Sequence, residues 1–383
     1  MPKLTPLELA TDSVFGIDSG NASLPEPVPG RSALAALEDA ILPAVARPPC
    51  IVTFSGGRDS SLVLAVAARV ARREGLPLPI PATVRFLDMQ GSEESSWQEL
   101  VLEHLNLVER ITIEVRTDFD LVGPLAGKLL RRHGILWPLN VYLQASLLPP
   151  AREGSLLTGL MGDALFGGGR WFAVNEVLGG RRKPVARDFL RLGLALAPRW
   201  LRARVMERRV EAFPWLRAGA RKAFIALKSQ AEASAPWRWD RWIEHLSHRR
   251  AWRIAKESMD QVAAAENALH LEPLADRSFL ASLARTGGRY GIGDRTGIMR
   301  ALFSDVLPDQ VLSRSDKAVF GSAFVGPETK EFAWAWKGGG IDSTIVDPDA
   351  LRAAWLGERF NTRAALLLQA AWLHEQEPAR PSF

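Results

Sequence analysis

The stretch Ile51-Val52-Thr53-Phe54-Ser55-Gly56-Gly57-Arg58-Asp59-Ser60-Ser61 decides how the rest of the chain is read. Residues 51–54 read as a short buried strand, the two glycines as a turn, and residues 60–73 as an apolar helix. A strand that passes through a glycine turn into a helix points backbone N–H groups and the helix dipole at one place, which favours an anion. Gly56 and Gly57 let phosphate oxygens approach the main chain, and the hydroxyls of Ser55, Ser60 and Ser61 can donate to the same oxygens. Asp59 would repel a bare phosphate. It fits when a hard cation stands between them, and Mg²⁺ held by a carboxylate and substrate phosphates is such an arrangement. The plain alternative, an ordinary strand-to-helix connection, leaves the aspartate and hydroxyls without a purpose. A Gly-x-x-x-x-Gly-Lys-Ser/Thr loop is missing, residues 123–128 miss its spacing, and Gly291-Ile292-Gly293 follows no strand.

Outward from this loop, strands alternate with helices. Residues 82–87, 110–115 and 155–160 read as strands, and 32–45, 93–105, 121–133 and 142–148 as helices. That order predicts an α/β fold with a doubly wound, mostly parallel sheet. Residues 1–30 read as an irregular lead-in. After Gly169 the strand signals stop, and from Val185 on the patterns are helical, broken near Pro214, Pro236, Pro273, 287–297 and Pro308.

Composition agrees. The chain has 383 residues, 47% hydrophobic and 24% charged, which excludes a disordered chain and allows two or three domains. Cys50 is the single cysteine, which excludes an internal disulfide or a multi-thiolate zinc site and fits a reducing, cytoplasmic setting. No secretory pattern opens the sequence, and the most apolar window, 189–205, is broken by Arg191, Pro198, Arg199, Arg202 and Arg204. The six histidines show no His-Glu-x-x-His spacing, and His245 with His248 lacks a third ligand.

The loop 55–61 resembles the Ser-Gly-Gly-x-Asp-Ser signature of the PP-loop ATP pyrophosphatases, which cleave ATP between the α- and β-phosphates and transfer AMP. A second motif narrows the resemblance. Leu157-Thr158-Gly159-Leu160-Met161-Gly162-Asp163-Ala164-Leu165-Phe166-Gly167-Gly168 is similar to the Ser-Gly-Glu-Gly-Ser-Asp-Glu-Leu-Phe-Gly-Gly stretch of the asparagine synthetase family. Asp163 falls on that family's second magnesium aspartate, and it too follows a predicted strand, where open α/β sheets place ligands. Alone it would read as a helix N-cap. Pro273-Leu274-Ala275-Asp276 is similar to the family's Pro-Phe-Leu-Asp, and 307–321 to its Leu-Pro … Arg-x-x-Lys-x-x-Phe segment. The resemblance spans roughly residues 47–325. It implies ATP and Mg²⁺ as cofactors, Asp59 and Asp163 as metal ligands, and Lys317 at the reacting phosphates, where an ammonium suits developing charge. It further implies that Thr53, Val84, Thr158 and Gly159 line the adenosine site. The implied organisation is a lead-in and helix over 1–46, an ATP-binding α/β domain of PP-loop type over 47–175, a basic, Trp-rich helical segment over 176–260, and a C-terminal helical part carrying the lysine motif over 261–383.

The sequence also departs from the family. No glutaminase domain is expected, since Pro2 stands where that domain has its cysteine and only the lead-in over 1–46 precedes the ATP-binding domain. Leu160 stands where the family has glutamate, and Ala164 replaces another acid. An acid near an acyl adenylate can take the proton of an attacking amine, so its loss points away from plain aspartate amidation. β-Lactam synthetase and the lasso-peptide cyclases are relatives that join an activated carboxyl to an amine other than ammonia. Glu266 and Glu272 are candidate replacement bases that otherwise read as surface charges.

Residues 181–222 hold 13 Lys and Arg against Asp188, Glu207 and Glu211, a local excess of ten that leaves the rest of a +5 chain at −5. The segment reads as a solvated amphipathic helix pair or as a docking site for an acidic peptide or protein, with RNA or a membrane surface as lesser readings. Four tryptophans between Trp237 and Trp252 read as packing in a helical lobe, with an aromatic substrate surface as the minority reading. The expected function is an ATP-dependent, AMP- and pyrophosphate-forming ligase that makes an amide from a small-molecule or peptide carboxylate and an amine. Asparagine synthesis with ammonia from another chain, tRNA modification and a non-catalytic nucleotide-binding role are the alternatives.

Overall fold

The computed structural model describes residues 4–18, 23–87, 94–116, 119–315, 324–358 and 360–376. Strands β1 (Cys50–Thr53), β2 (Ile80–Phe86), β3 (Ile111–Val115), β4 (Ser155–Leu157) and β5 (Leu269–Leu271) form one sheet in the order β3-β2-β1-β4-β5. Every neighbouring pair is parallel, with Ile51 opposite both Ile80 and Leu156, and Leu156 opposite His270. Parallel neighbours need long crossovers, which helices Arg58–Glu74 and Ser95–His104 supply on one half of the sheet.

Both faces of the sheet are covered, which explains why its strands read as continuous apolar runs. Successive side chains point to opposite faces. Cys50, Val52 and Leu157 join a core with Leu37, Ile41, Leu62, Val66, Phe279 and Phe303. Ile51, Ala82 and Leu156 join a second core with Leu130, Val141, Trp215 and Leu368. Helices Arg277–Gly287 and Arg295–Phe303 are far along the chain, yet they pack on the first core through Phe279, Leu283, Ile298 and Met299. Among the tryptophans of the helical lobe, Trp239 is buried in that core and Trp242 and Trp252 pack against it. Cys50 is buried, and burial pushes its thiol up to about 11, which marks a packing residue rather than a nucleophile.

Three expectations are corrected. The lead-in is not wholly irregular. Thr5 and the Glu8 carboxylate cap each other and start a helix, Pro6–Thr11. Strand formation does not end at Gly169 either. Leu269–Leu271 adds β5 to the sheet, and three residues are too few to show an alternating pattern. The strand expected over 155–160 stops at Leu157, where the chain turns into the loop that carries Asp163. Among the described residues, no helix is long and apolar enough to cross a membrane.

Candidate active site

The strand order reverses between β1 and β4, and open α/β sheets bind ligands in the crevice at such a point, outside the strands' carboxyl ends. A cleft of about 350 Å³ lies there. Its floor is the loop after β1. Phe54 N–H donates to Ala82 O (2.8 Å), which prolongs the ladder by one bond before the chain turns. Gly56 then takes the left-handed conformation (φ 82°), which a side chain would resist. Ser60 Oγ accepts from Ser55 N (3.3 Å) and donates to Gly57 O (3.1 Å), and Ser55 Oγ accepts from Gly57 N (3.3 Å). The hydroxyls thus hold the turn in shape from within. The helix Arg58–Glu74 opens from Gly57 with no side-chain cap, so its first turn faces the cleft available to a ligand.

The second wall is the loop after β4. Thr158 N–H donates to Leu271 O (3.2 Å), and Met161 holds a left-handed conformation (φ 75°) as the chain enters the short helix Gly162–Phe166. A Cβ on Gly162 would lie 2.2 Å from Asp59 Cγ, and one on Gly159 would lie 2.9 Å from Ser60 N. Only hydrogen at these positions lets the two loops touch, and that contact sets Asp163 beside Asp59.

Asp59 and Asp163 converge on one guanidinium. Arg295 Nη2 donates to both oxygens of Asp59 (2.7 and 2.6 Å), and its Nη1 donates to Asp163 Oδ1 (2.6 Å). Burial opposes the charge on Arg295, but Asp59 and Asp163 outweigh it and hold its pKa above the ordinary value. One guanidinium therefore reaches both carboxylates, which places them on the same side of the cleft. Among the described residues no group of three or more His, Cys, Asp and Glu side chains surrounds a metal position. Two carboxylates completed by phosphate oxygens are a donor set that Mg²⁺ accepts.

Two further arginines lie within the motifs but were assigned no role from the sequence. Arg58 donates to Thr296 Oγ1 (3.2 Å) and Leu312 O (3.4 Å), and burial together with nearby Arg295 lowers its pKa. Arg314 is buried, donates to Gly56 O (3.0 Å) and Glu94 Oε1 (2.7 Å), and stacks over Trp97 (4.8 Å). It ties the segment leading to Lys317 onto the phosphate loop. Lys317 itself lies outside the described residues.

The remaining wall is apolar, from Ala82, Val84, Phe86, Leu143 and Leu147. Asn140 Oδ1 and Gln144 Oε1 also belong to lining residues, are buried and have no partner among the described residues. Such orphaned acceptors suit an amino group on a flat ring, as in adenine. Of the residues expected at the site, Thr53, Ser55, Asp59, Ser60, Val84, Gly159 and Asp163 line the cleft. Gly56 and Gly57 shape the turn without lining it, and Ser61 and Thr158 are fully buried behind it. Leu160 lines the cleft and brings no carboxylate there. Neither candidate replacement base does: Glu266 pairs with Arg152 (2.6 Å) at the surface. Glu272 is buried after β5, where burial raises its pKa, so it is not a surface charge.

A search of curated proteins found none that matches the chain. The family model for asparagine synthase matches residues 33–374, which takes in the whole sheet, both aspartate loops and the arginine-bearing helices. Proteins of this kind use ATP, typically with Mg²⁺, and the matched range takes in the turn after β1 and the Asp59 and Asp163 pair that line the crevice. The chain belongs to the asparagine synthase family and is an ATP-dependent ligase.

Proposed function

We propose that this ligase adenylates a substrate carboxylate and then joins it to an amine other than ammonia, releasing pyrophosphate and AMP. The observation that carries the reading is the convergence of Asp59 and Asp163 on one cation beside the phosphate turn. A carboxylate oxygen attacks the α-phosphorus of ATP, the Pα–O bond to the β-phosphate breaks, and pyrophosphate leaves. Magnesium, when bound by Asp59 and Asp163, offsets the charge of the phosphates. Ser55, Ser60 and the open first turn of Arg58–Glu74 hold the phosphate oxygens, and Lys317, by resemblance, meets the charge that develops on them. The amine nitrogen then attacks the acyl carbon, the bond to AMP breaks, and the nitrogen's proton passes to water.

Leu160 supports the choice of amine. Asp59, Asp163 and Glu94 are the carboxylates among the described residues that line the cleft, and each is engaged by an arginine. A peptide or specialised metabolite is the proposed substrate, docked through the basic helices Ala186–Leu196 and Arg199–Glu207. Phe189 (66% exposed), Leu190 (78%), Leu196 (63%) and Trp200 (69%) stand out from them between arginines, which suits an acidic and apolar peptide.

Exchange of labelled pyrophosphate into ATP tests the reading, with a panel of carboxylic acids, acidic peptides and bulk tRNA. Exchange is expected with a member of the acid or peptide set and is expected to vanish in D59N/D163N. ATP binding without exchange under any acid would sink it, and exchange driven by tRNA would move the function to RNA modification.

A further inference from the structure

We propose that Arg295 is an exchangeable counter-ion: it holds Asp59 and Asp163 while no magnesium is bound, and turns to the nucleotide phosphates when magnesium takes its place. The inference rests on the Mg²⁺–ATP reading of the cleft given above.

Two carboxylates set side by side for a divalent cation repel each other when that cation is away. The Asp59 side chain is 14% exposed and that of Asp163 is 56% exposed, so water screens the repulsion from the Asp163 side only. A single guanidinium fork answers both, with three short hydrogen bonds to the pair. Its +1 offsets one of the pair's two charges. A divalent ion cancels both charges, and the guanidinium then has no remaining claim on the aspartates. It must find another anion, and the cleft it lines is the one read here as the phosphate site.

The attachment of Arg295 suits such a turn. It is the first residue of the helix Arg295–Phe303, which Ile298, Met299 and Phe303 anchor in the core, so the backbone stays and the long side chain moves. Its Nε is buried with no partner among the described residues, so the pose seen leaves a donor unsatisfied that another pose can satisfy. Arg58, its neighbour, does not share this freedom, because Thr296 Oγ1 and Leu312 O hold its guanidinium. Arg295 is thus a positioning residue for the metal pair and a candidate phosphate ligand in the loaded site.

The test measures binding, with Mn²⁺ as probe, followed by electron paramagnetic resonance on wild type, Arg295→Ala and Arg295→Lys. Without nucleotide, Arg295→Ala is expected to bind Mn²⁺ about tenfold more tightly than wild type, because the guanidinium of residue 295 no longer competes for the aspartates. With a non-hydrolysable ATP analogue and Mg²⁺, the same variant is expected to bind the nucleotide about tenfold more weakly. Arg295→Lys, which keeps the charge and loses the fork, is expected between wild type and alanine in both, and circular dichroism checks that each variant is folded. Equal or weaker Mn²⁺ binding in folded Arg295→Ala without nucleotide, while both proteins bind Mn²⁺ with nucleotide, would overturn the counter-ion role alone. No Mn²⁺ binding to either protein even with the ATP analogue would overturn the metal reading and this inference with it.

Discussion

The crevice between β1 and β4 and the basic helix pair after Gly180 are built on opposite terms. In the crevice, atoms are so close that glycine is obligatory: a methyl at Gly162 would overlap Asp59, and one at Gly159 would press on Ser60. In the helix pair, a methyl at Gly193 would meet nothing within 4 Å, and Leu190 stands 78% exposed. The small core beneath the pair, Trp171, Val174, Ala195 and Met206, leaves much of its apolar surface in solvent. Crowding fixes a constellation of charges to fractions of an ångström, as chemistry needs. Exposed Phe189, Leu190 and Trp200 add little to the core, and the proposed peptide docking is what would cover them.

The largest effect is expected at the crowded end. Gly162→Ala pushes Asp59 away from Asp163, and a misplacement of about 1 Å can lower pyrophosphate exchange about 100-fold. The overpacking itself costs only about 1–3 kcal/mol, so circular dichroism should show a folded protein. Exchange at the wild-type rate in Gly162→Ala would erase the contrast. Next comes Arg314→Ala. The Arg314 and Glu94 side chains are 4% and 7% exposed, and breaking a buried pair of this kind costs about 3–5 kcal/mol, measurable by urea denaturation. A surface-like loss well below 1 kcal/mol would show that the lysine segment is not tied down through Arg314. The helix pair should behave the other way. F189S/L190S/W200S is expected to shift stability by no more than about 0.5 kcal/mol, as exposed sites do. The same triple change should raise the KM of a peptide substrate about tenfold while exchange with a small acid stays unchanged. A drop in stability of several kcal/mol would mean that these side chains are structural after all.

The smallest effect is a pH dependence in the same lobe. His245 is pushed down to about 4, first by burial and then by Arg249, Arg199 and His248. The native ring stays neutral between pH 6.5 and about 4 while the unfolded one takes a proton, so stability is full above pH 6.5 and falls as pH drops toward 4. His245→Gln should flatten that slope in thermal melts taken across the range. An unchanged slope would place the pH dependence elsewhere.

The sheet and the phosphate turn were legible because their signals are local. A strand, two glycines, an aspartate and hydroxyls lie within eleven residues, and the helix after them carries its own apolar spacing. Asp163 was legible through a motif as compact. What escaped is what the fold assembles from a distance. Arg295 meets Asp59 across 236 positions, in a helix whose sequence shows only one more arginine after a glycine-rich stretch. The Arg314 segment was recognised as a motif, but its partner Glu94 lies 220 residues away and nothing near it in sequence announces the pair. β5 gains its strand form from β4 beside it rather than from its own three residues. Glu272 looked like a surface charge because burial, too, is set by what packs around a residue and not by its neighbours in the chain.

The central claim is that Asp59 and Asp163 hold the metal of an ATP site, and calorimetric binding of a non-hydrolysable ATP analogue, with and without Mg²⁺, tests it without knowledge of the substrate. Wild type should bind the analogue at least about tenfold more tightly with Mg²⁺ than without, and D59N/D163N should lose that difference while remaining folded. The same Mg²⁺ dependence in the double variant as in wild type would contradict the assignment.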